Sequence, residues 1–383
     1  MKHFDLPLKI GVIDDEIEPQ VLKMLVPYYS GEVSIIQCNR MGPIQAMATT
    51  KVNLPVNHST LCTALLIEGL HKENILDKVK ITNISIESGF GEKRLQGLIS
   101  ALDYCNRHTF DILSVSVGVL NLLYAKQMLP LLQQIKKTLI VSAASNDFSL
   151  TYPAAFSAVI GVKRAVHKIK KRIEVVKDPV DGIELIRMYS ETPILCRLNR
   201  EYQLNYEDSN SILVPQVCAE VACHVLQNNM ELTKNSVLCT FAKLSGLRGT
   251  DHKKDYYFNK ESDNSVPVVL FRYDRAKQKD SYDLLKRLQG IFEDRGYSCA
   301  ILCDFIKDSD FENGWYRVCS KNIEQEVEYY LNVTSDSILF LLLSNETTES
   351  FNYDMSISEE ALSYSLNEQE MDKLFIKIVV ALS

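Results

Sequence analysis

The sequence predicts an α/β protein: a mainly parallel sheet with helices on both faces, followed by a smaller α/β domain. Three observations predict it. Short apolar runs alternate with stretches of helical spacing through the first two-thirds of the 383 residues. The first of those runs, Leu8–Asp14, is short and apolar and ends in an acid, as a strand buried in a parallel sheet can be. A polar, charged stretch, Leu247–Ser265, then separates this part from a second alternation.

The elements follow in order. Leu8–Asp14 (LKIGVID) reads as a buried parallel strand ending in an acid, and Leu61–His71 as a helix starting just after His58. Val79–Ile86 is the next strand. Glu92–Cys105 has helical spacing, with Leu95, Leu98, Ile99 and Leu102 on its apolar side. Asp111–Val117 is a strand, Leu122–Lys136 a helix and Leu139–Ala144 a strand. Such alternation implies right-handed crossovers on a mainly parallel sheet. Lys163–Asp208 reads as short strand-like pieces with turns. Val214, Val217, Cys218, Val221, Ala222 and Val225 then mark a helix, with Pro215 in the first turn, where proline is tolerated. Beyond the polar stretch, Val266–Tyr273, Ser298–Cys303 and Ser337–Leu343 read as strands, and Ser281–Arg295 and Glu368–Leu382 as helices. The expected organisation is therefore a first domain over 1–246, a linker over 247–265 and a second domain over 266–383.

Composition narrows the class. With 46% apolar and 24% charged residues, the chain has the balance of an ordinary soluble globular protein. The net charge is −7 and the cationic residues are dispersed, which argues against a nucleic-acid groove or a basic membrane-binding face. The N-terminal MKHFDLPLKIGVIDDE lacks the shape of a signal peptide, and runs such as Ser337–Ser344 are too short to span a bilayer. A cytoplasmic protein is expected. The ten cysteines contain no CxxC pair and read as buried free thiols, and no Cys/His or acidic-loop spacing suggests a metal. No cofactor is expected: the second domain has no phosphate-binding glycine loop.

Acyl transfer by serine needs a histidine beside the hydroxyl, a buried carboxylate to orient that histidine, and a donor facing the developing oxyanion. In parallel α/β proteins such groups gather at carboxyl ends of strands and at helix N-termini. The chain offers one candidate for each role at such a point. Asp14 ends the first strand, His58 opens a helix, Asn146 follows the strand LIVSAA, and Ser211 stands one turn before Pro215. The positive end of the following helix favours an oxyanion there. Taken singly, each has an ordinary use as a strand-end acid, a cap or a turn residue.

These segments resemble the motifs of the subtilisin-like serine peptidases. VIDDEI (Val12–Ile17) is similar to the family's aspartate motif, HSTLCTALL (His58–Leu66) to its histidine motif, and VSAASND (Val141–Asp147) to its oxyanion segment. SNSILVPQVCAEVA (Ser209–Ala222) resembles the nucleophile motif G-T-S-M-A-T-P-H-V-A-G. The order Asp, His, Asn, Ser is the family's own. SGFGE (Ser88–Glu92), SVG (Ser116–Gly118) and TYPAAFSAVIGV (Thr151–Val162) resemble the two edges of its substrate cleft and a further strand, so the likeness spans roughly 5–240. It implies that Ser211 attacks the scissile carbonyl, His58 carries the proton, Asp14 holds the imidazole, and Asn146 with the Ser211 N–H binds the oxyanion. It also implies that Ser88, Gly89, Phe90 and Gly91 on one side, and Ser116, Val117 and Gly118 on the other, clamp an extended peptide by backbone pairing. There are departures. Asp15 and Glu16 replace Thr and Gly after the acid, Ser59 and Ser145 replace glycines, and Ser209-Asn210 replace Gly-Thr. A glycine after the acid often serves a backbone that a β-carbon opposes.

The second domain looks like a flavodoxin-like half and resembles proteins of clostridial peptide-maturation systems. The expectation is a serine endopeptidase that removes the leader from a ribosomally made precursor peptide. Its C-terminal domain is expected to bind the precursor or a maturation-system protein, or to support oligomerisation. The alternatives are a peptide-binding module that does not cleave, and an intracellular protease of broad specificity. Trp315 reads as a packing anchor and Lys168–Arg172 as a solvated hairpin.

Overall fold

The computed structural model describes residues 7–39, 42–45, 56–86, 92–146, 149–165, 173–177, 184–190, 192–202, 209–245, 248–250, 266–319, 323–347, 351–357 and 366–382. Among these, 7–119, 127–177 and 184–250 form one compact unit, and 120–126 with 266–382 a second.

In chain order the first stretch gives β1 (Leu8–Asp14), α1 (Pro19–Leu25), β2 (Ser34–Asn39), β3 (Gly42–Gln45), α2 (His58–Lys72), β4 (Val79–Ile86), α3 (Glu92–Arg107), β5 (Ile112–Val115), α4 (Leu122–Ala125), α5 (Leu129–Gln134) and β6 (Leu139–Ala143). There follow β7 (Ile160–Arg164), β8 (Ile173–Lys177), β9 (Glu184–Met188), α6 (Pro193–Tyr202), α7 (Val214–Asn228), α8 (Lys234–Ser245) and β10 (Arg248–Thr250). The strands form a ten-stranded sheet in the order β10-β8-β9-β7-β6-β5-β1-β4-β2-β3. It is parallel except for the pairs β2/β3 and β8/β9. The expected mainly parallel α/β architecture is what the chain adopts.

β1 lies at the centre, paired with β4 and β5. Successive side chains of a strand point to opposite faces. Leu8, Ile10 and Val12 enter the core that holds α2 and α7, and period two places Asp14 on that same face. Both helices are buried over most of their surface, as central helices must be. They approach so closely that a Cβ on Gly69 would stand 2.7 Å from the Ala219 Cβ.

Four local expectations differ from what is found. The helix expected over Leu122–Lys136 is broken into α4, a 3-10 turn at Lys126–Met128 and α5, with Pro130 at the start of α5. Proline has no N–H and its ring crowds the preceding turn, so it starts helices rather than continuing them. Pro193–Tyr202, expected as strand-like pieces, is helical, its Ile194, Leu195 and Leu198 entering the core. Arg248–Thr250, inside the expected linker, pairs in parallel with β8. Glu16 does not have the left-handed backbone that would require glycine; among the described non-glycine residues only Asn74 and Asn229 have positive φ.

The second unit contains β11 (Val268–Tyr273), α9 (Gln278–Asp294), β12 (Cys299–Cys303), β13 (Trp315–Arg317), α10 (Ile323–Val333), β14 (Ile338–Ser344), β15 (Met355–Ile357) and α11 (Glu368–Leu382). Its sheet is parallel throughout, in the order β13-β12-β14-β11-β15. By chain position this is 3-2-4-1-5, not the 2-1-3-4-5 of flavodoxin-like folds. β14 inserts between β11 and β12, aligning Leu339 with Val268 and Ile338 with Cys299. α9 and α11 cover one face, and the buried Trp315 Nε1 donates to Gln289 Oε1 at 3.0 Å, the packing role expected for it. Leu120–Lys126 belongs to this unit. Asn121 caps α4 and donates to Ser298 Oγ, and Lys126 pairs with Glu293 at 2.5 Å. No helix of the described residues is long and apolar enough to cross a membrane, and all ten cysteines are free thiols.

Candidate active site

α2 begins at His58 because Asn57 caps it, its Oδ1 accepting from the Thr60 N–H at 2.8 Å. The same amide reaches across to the loop after β1. Asn57 Nδ2 donates to Glu16 O at 2.9 Å and to Glu18 Oε1 at 3.0 Å, and the Glu18 N–H donates to Thr60 Oγ1 at 2.8 Å. One helix cap therefore fixes both the start of α2 and the segment that follows Asp14.

Asp14 is fully buried. Its Oδ2 lies 2.8 Å from His58 Nδ1, and its Oδ1 accepts from the Asp15 N–H at 2.8 Å. A carboxylate only accepts, so this contact assigns the imidazole proton to Nδ1 and leaves a lone pair on Nε2. Nε2 faces Ser211 Oγ at 2.6 Å. Ser211 lies in the 3-10 turn Asn210–Leu213 that leads into α7; it caps neither that turn nor the helix. The structure thus brings Asp14, His58 and Ser211 into one hydrogen-bonded chain.

Asn146 follows β6 at the surface. Its Oδ1 accepts from the Asn210 N–H at 2.7 Å. Only the oxygen end of an amide can face an N–H, so the contact turns Nδ2 outward. Asn210 is itself buried. Its Nδ2 donates to Ala144 O and Ser145 O at 3.1 and 2.7 Å, and its Oδ1 accepts from the Arg164 N–H at 2.8 Å. The residue before Ser211 thereby ties the serine turn to the ends of β6 and β7.

Cys62, one helical turn after His58, is fully buried beside the imidazole, its Sγ 3.8 Å from both ring nitrogens. The proton affinity of His58 is raised above the ordinary imidazole range through the Cys62 sulfur and the Asp14 carboxylate, against a burial that lowers it. Cys62 can contribute charge only as a thiolate, and burial raises its own pKa. It is a neutral thiol in neutral solution, so the carboxylate is the cause that operates there. Burial and the adjacent Asp14 raise the Asp15 carboxyl. Asp14, His58 and Cys62 each offer a donor atom within 4.8 Å of the others. Two ligands held tetrahedrally at zinc distances stand about 3.4 Å apart. Asp14 and His58, at 2.8 Å, are joined by a hydrogen bond instead.

Of the expected substrate-clamping residues, Ser88, Gly89, Phe90 and Gly91 lie outside the described residues, as does Lys168–Arg172. Ser116, Val117 and Gly118 follow β5. The Ser116 hydroxyl turns inward and donates to Ser211 O at 3.4 Å, and Val117 is buried. A Cβ on Gly118 would stand 2.3 Å from Thr151 Cγ2.

Sequence reasoning missed Asn57, Cys62, Ser209 and Asn210. The first carries a cap signature and the second stands four residues after His58 on a helix. The last two were noted only as departures from a motif.

No family model matches the chain, and no curated protein matches it. Among solved structures it is similar to a lanthipeptide protease, at 13% identity over 61% of this chain and 78% of that one, TM-score 0.39. It is similar to the nisin leader peptidase NisP from Lactococcus lactis, at 14% identity over 59% and 80%, TM-score 0.39. It is also similar to a cold adapted subtilisin-like serine proteinase, at 15% identity over 62% and 82%, TM-score 0.38. Likenesses of this size carry no inference about activity.

With a serine peptidase chemistry, replacing Asn146 by alanine is expected to lower kcat on the order of a few hundredfold, about 3 kcal/mol of barrier, with KM little changed. Steady-state kinetics on an ester substrate checks this.

Proposed function

We propose that this chain is a serine endopeptidase of the subtilisin-like type. The observation that carries the reading is the continuous hydrogen-bond chain from Asp14 Oδ2 through His58 to Ser211 Oγ, at 2.8 and 2.6 Å. Ser211 Oγ attacks the scissile carbonyl as His58 Nε2 takes its proton. Asp14 keeps the imidazole in the tautomer that can accept, and the imidazolium then protonates the leaving amine. Asn146 Nδ2 and the Ser211 N–H hold the oxyanion. Water completes the cycle by hydrolysing the acyl-enzyme. A fluorophosphonate probe tests this directly: it labels the wild type and not Ser211→Ala. Labelling of neither would replace this reading by a peptide-binding module that does not cleave.

The substrate proposed is a precursor peptide, cut to release its leader, with the second unit contributing to recognition. A precursor carrying a photoreactive residue in its leader should be cut at one bond and crosslink to residues in 266–383 of the full chain. Digestion of casein at many sites, or crosslinks confined to the first unit, would sink this narrower proposal.

A further inference from the structure

Ser209 stands two residues before Ser211, and its Oγ lies 2.5 Å from Ser211 Oγ. It occupies the N-cap position of the 3-10 turn, where a serine ordinarily turns its hydroxyl to a backbone N–H; no side-chain cap bond forms there. The hydroxyl is directed at Ser211 instead. The direction of the hydrogen follows from counting. Ser211 has one hydrogen, and His58 Nε2 at 2.6 Å is the acceptor that takes it. The hydrogen between the two serine oxygens is then that of Ser209, and Ser211 Oγ accepts it.

Resting on the serine peptidase reading, we infer that Ser209 is a further catalytic residue, a hydroxyl donor to the reacting oxygen of Ser211 that eases its departure from the acyl-enzyme. During acylation the Ser211 O–H bond breaks towards His58 Nε2 and an Oγ–C bond forms. In the attack Oγ starts as a hydroxyl that already accepts from Ser209, so that bond changes little on the way to the transition state. Once acylated, Oγ is an ester oxygen, a poor acceptor, and the bond is weak. During deacylation water adds to the acyl carbon and gives its proton to Nε2. The C–Oγ bond then breaks, its electron pair goes to Oγ, and the proton on Nε2 follows. Charge grows on Oγ in that step, and a hydrogen bond to a charged oxygen is roughly twice as strong as one to a neutral oxygen. Only an interaction stronger in the transition state than before it accelerates a step, and this one gains most from the ester ground state of deacylation.

The test is stopped-flow hydrolysis of p-nitrophenyl acetate by the full chain, with fluorophosphonate labelling alongside. Ser209→Ala is expected to keep the labelling and the initial burst of p-nitrophenolate while the steady-state rate after the burst falls about tenfold. Ser209→Thr, which keeps the hydroxyl, is expected to restore that rate. A Ser209→Ala enzyme that deacylates like the wild type, or a Ser209→Thr enzyme as slow as Ser209→Ala, overturns the role. So does loss of labelling in Ser209→Ala alone, which would place the residue before acylation. Wild type that neither labels nor gives a burst would instead sink the serine peptidase reading itself.

Discussion

Replacing Ser211 by alanine is expected to lower kcat on the order of a millionfold. The size follows from what the substitution removes. Among the described residues the hydroxyl hydrogen-bonded to His58 Nε2 is that of Ser211; the Ser209 hydroxyl contacts Ser211 Oγ and the Ser116 hydroxyl Ser211 O. Alanine leaves His58 with no proton to take and the carbonyl with no nucleophile except water. A residual rate about a thousandfold or more above water is expected from the oxyanion donors and from binding. Assay of a peptide amide with purified protein measures it; a loss of less than about a hundredfold would mean that Ser211 is not the nucleophile. The methyl group left behind fits the space of the serine, so the thermal unfolding midpoint should stay close to that of the wild type.

Asp14→Asn is expected to lower kcat/KM about ten-thousandfold. Asp14 is fully buried, and one oxygen already accepts from the Asp15 N–H. An asparagine there would keep its oxygen on that N–H and turn its amide hydrogens towards His58 Nδ1. Nδ1 would then have to accept, the ring proton would move to Nε2, and Nε2 could no longer take the proton of Ser211. The variant also changes the pH profile. The carboxylate raises the proton affinity of His58, and general-base catalysis requires the neutral ring. The acid limb of kcat/KM in the wild type should therefore lie above the ordinary imidazole value of about 6.5, and in Asp14→Asn it should move down. Stability carries the same sign. A histidine whose folded-state pKa is raised contributes stability that is fully present below its unfolded value and is lost as pH rises through the folded value. Chemical denaturation of the wild type across that window should show the loss, and Asp14→Asn should flatten it.

The readability of the chain differed by element. β1 and β4 were legible to the residue, β1 as the apolar run of Leu8, Ile10, Val12 and Ile13, and β4 from Val79, Ile81, Ile84 and Ile86, with Thr82, Asn83 and Ser85 buried among them. α7 was legible from its period and from Pro215 in its first turn. α2 was legible as a helix after His58, but its start was placed at Leu61, three residues late, because the Asn57 cap was missed. α6 was not read, although Ile194, Leu195 and Leu198 have helical spacing with Arg197, Asn199 and Arg200 on the outer face, because the stripe is only three residues long and follows short strand-like pieces. β10 was not, because Arg248–Thr250 carries no apolar pattern at all; it is a strand only by pairing with β8 at the sheet edge. In the second unit β11, β12 and β14 were legible, but the three-residue β13 and β15 were too short to show a pattern. The strand order was not legible, since the insertion of β14 between β11 and β12 is a matter of which strands pair.

The candidate site divides in the same way. The local sequence shows which candidate groups exist and at what point of an element each one stands. Asp14 ends a strand, His58 and Ser211 stand at or just before helix starts, and Asn146 follows a strand, because local pattern and capping residues are readable over a few neighbours. Tertiary structure alone decided the distances and the tuning. His58 meets Asp14 across 44 residues and Ser211 across 153. Those contacts depend on β1 lying centrally and on α2 and α7 packing against one face of the sheet. Asn210 acquires its contacts with Asn146, Ala144, Ser145 and Arg164 from the same long-range packing, whereas Ser209 meets Ser211 and Cys62 meets His58 within a few residues. A side chain's direction in a turn is set by what the rest of the chain leaves room for, and that is not written in the residues beside it.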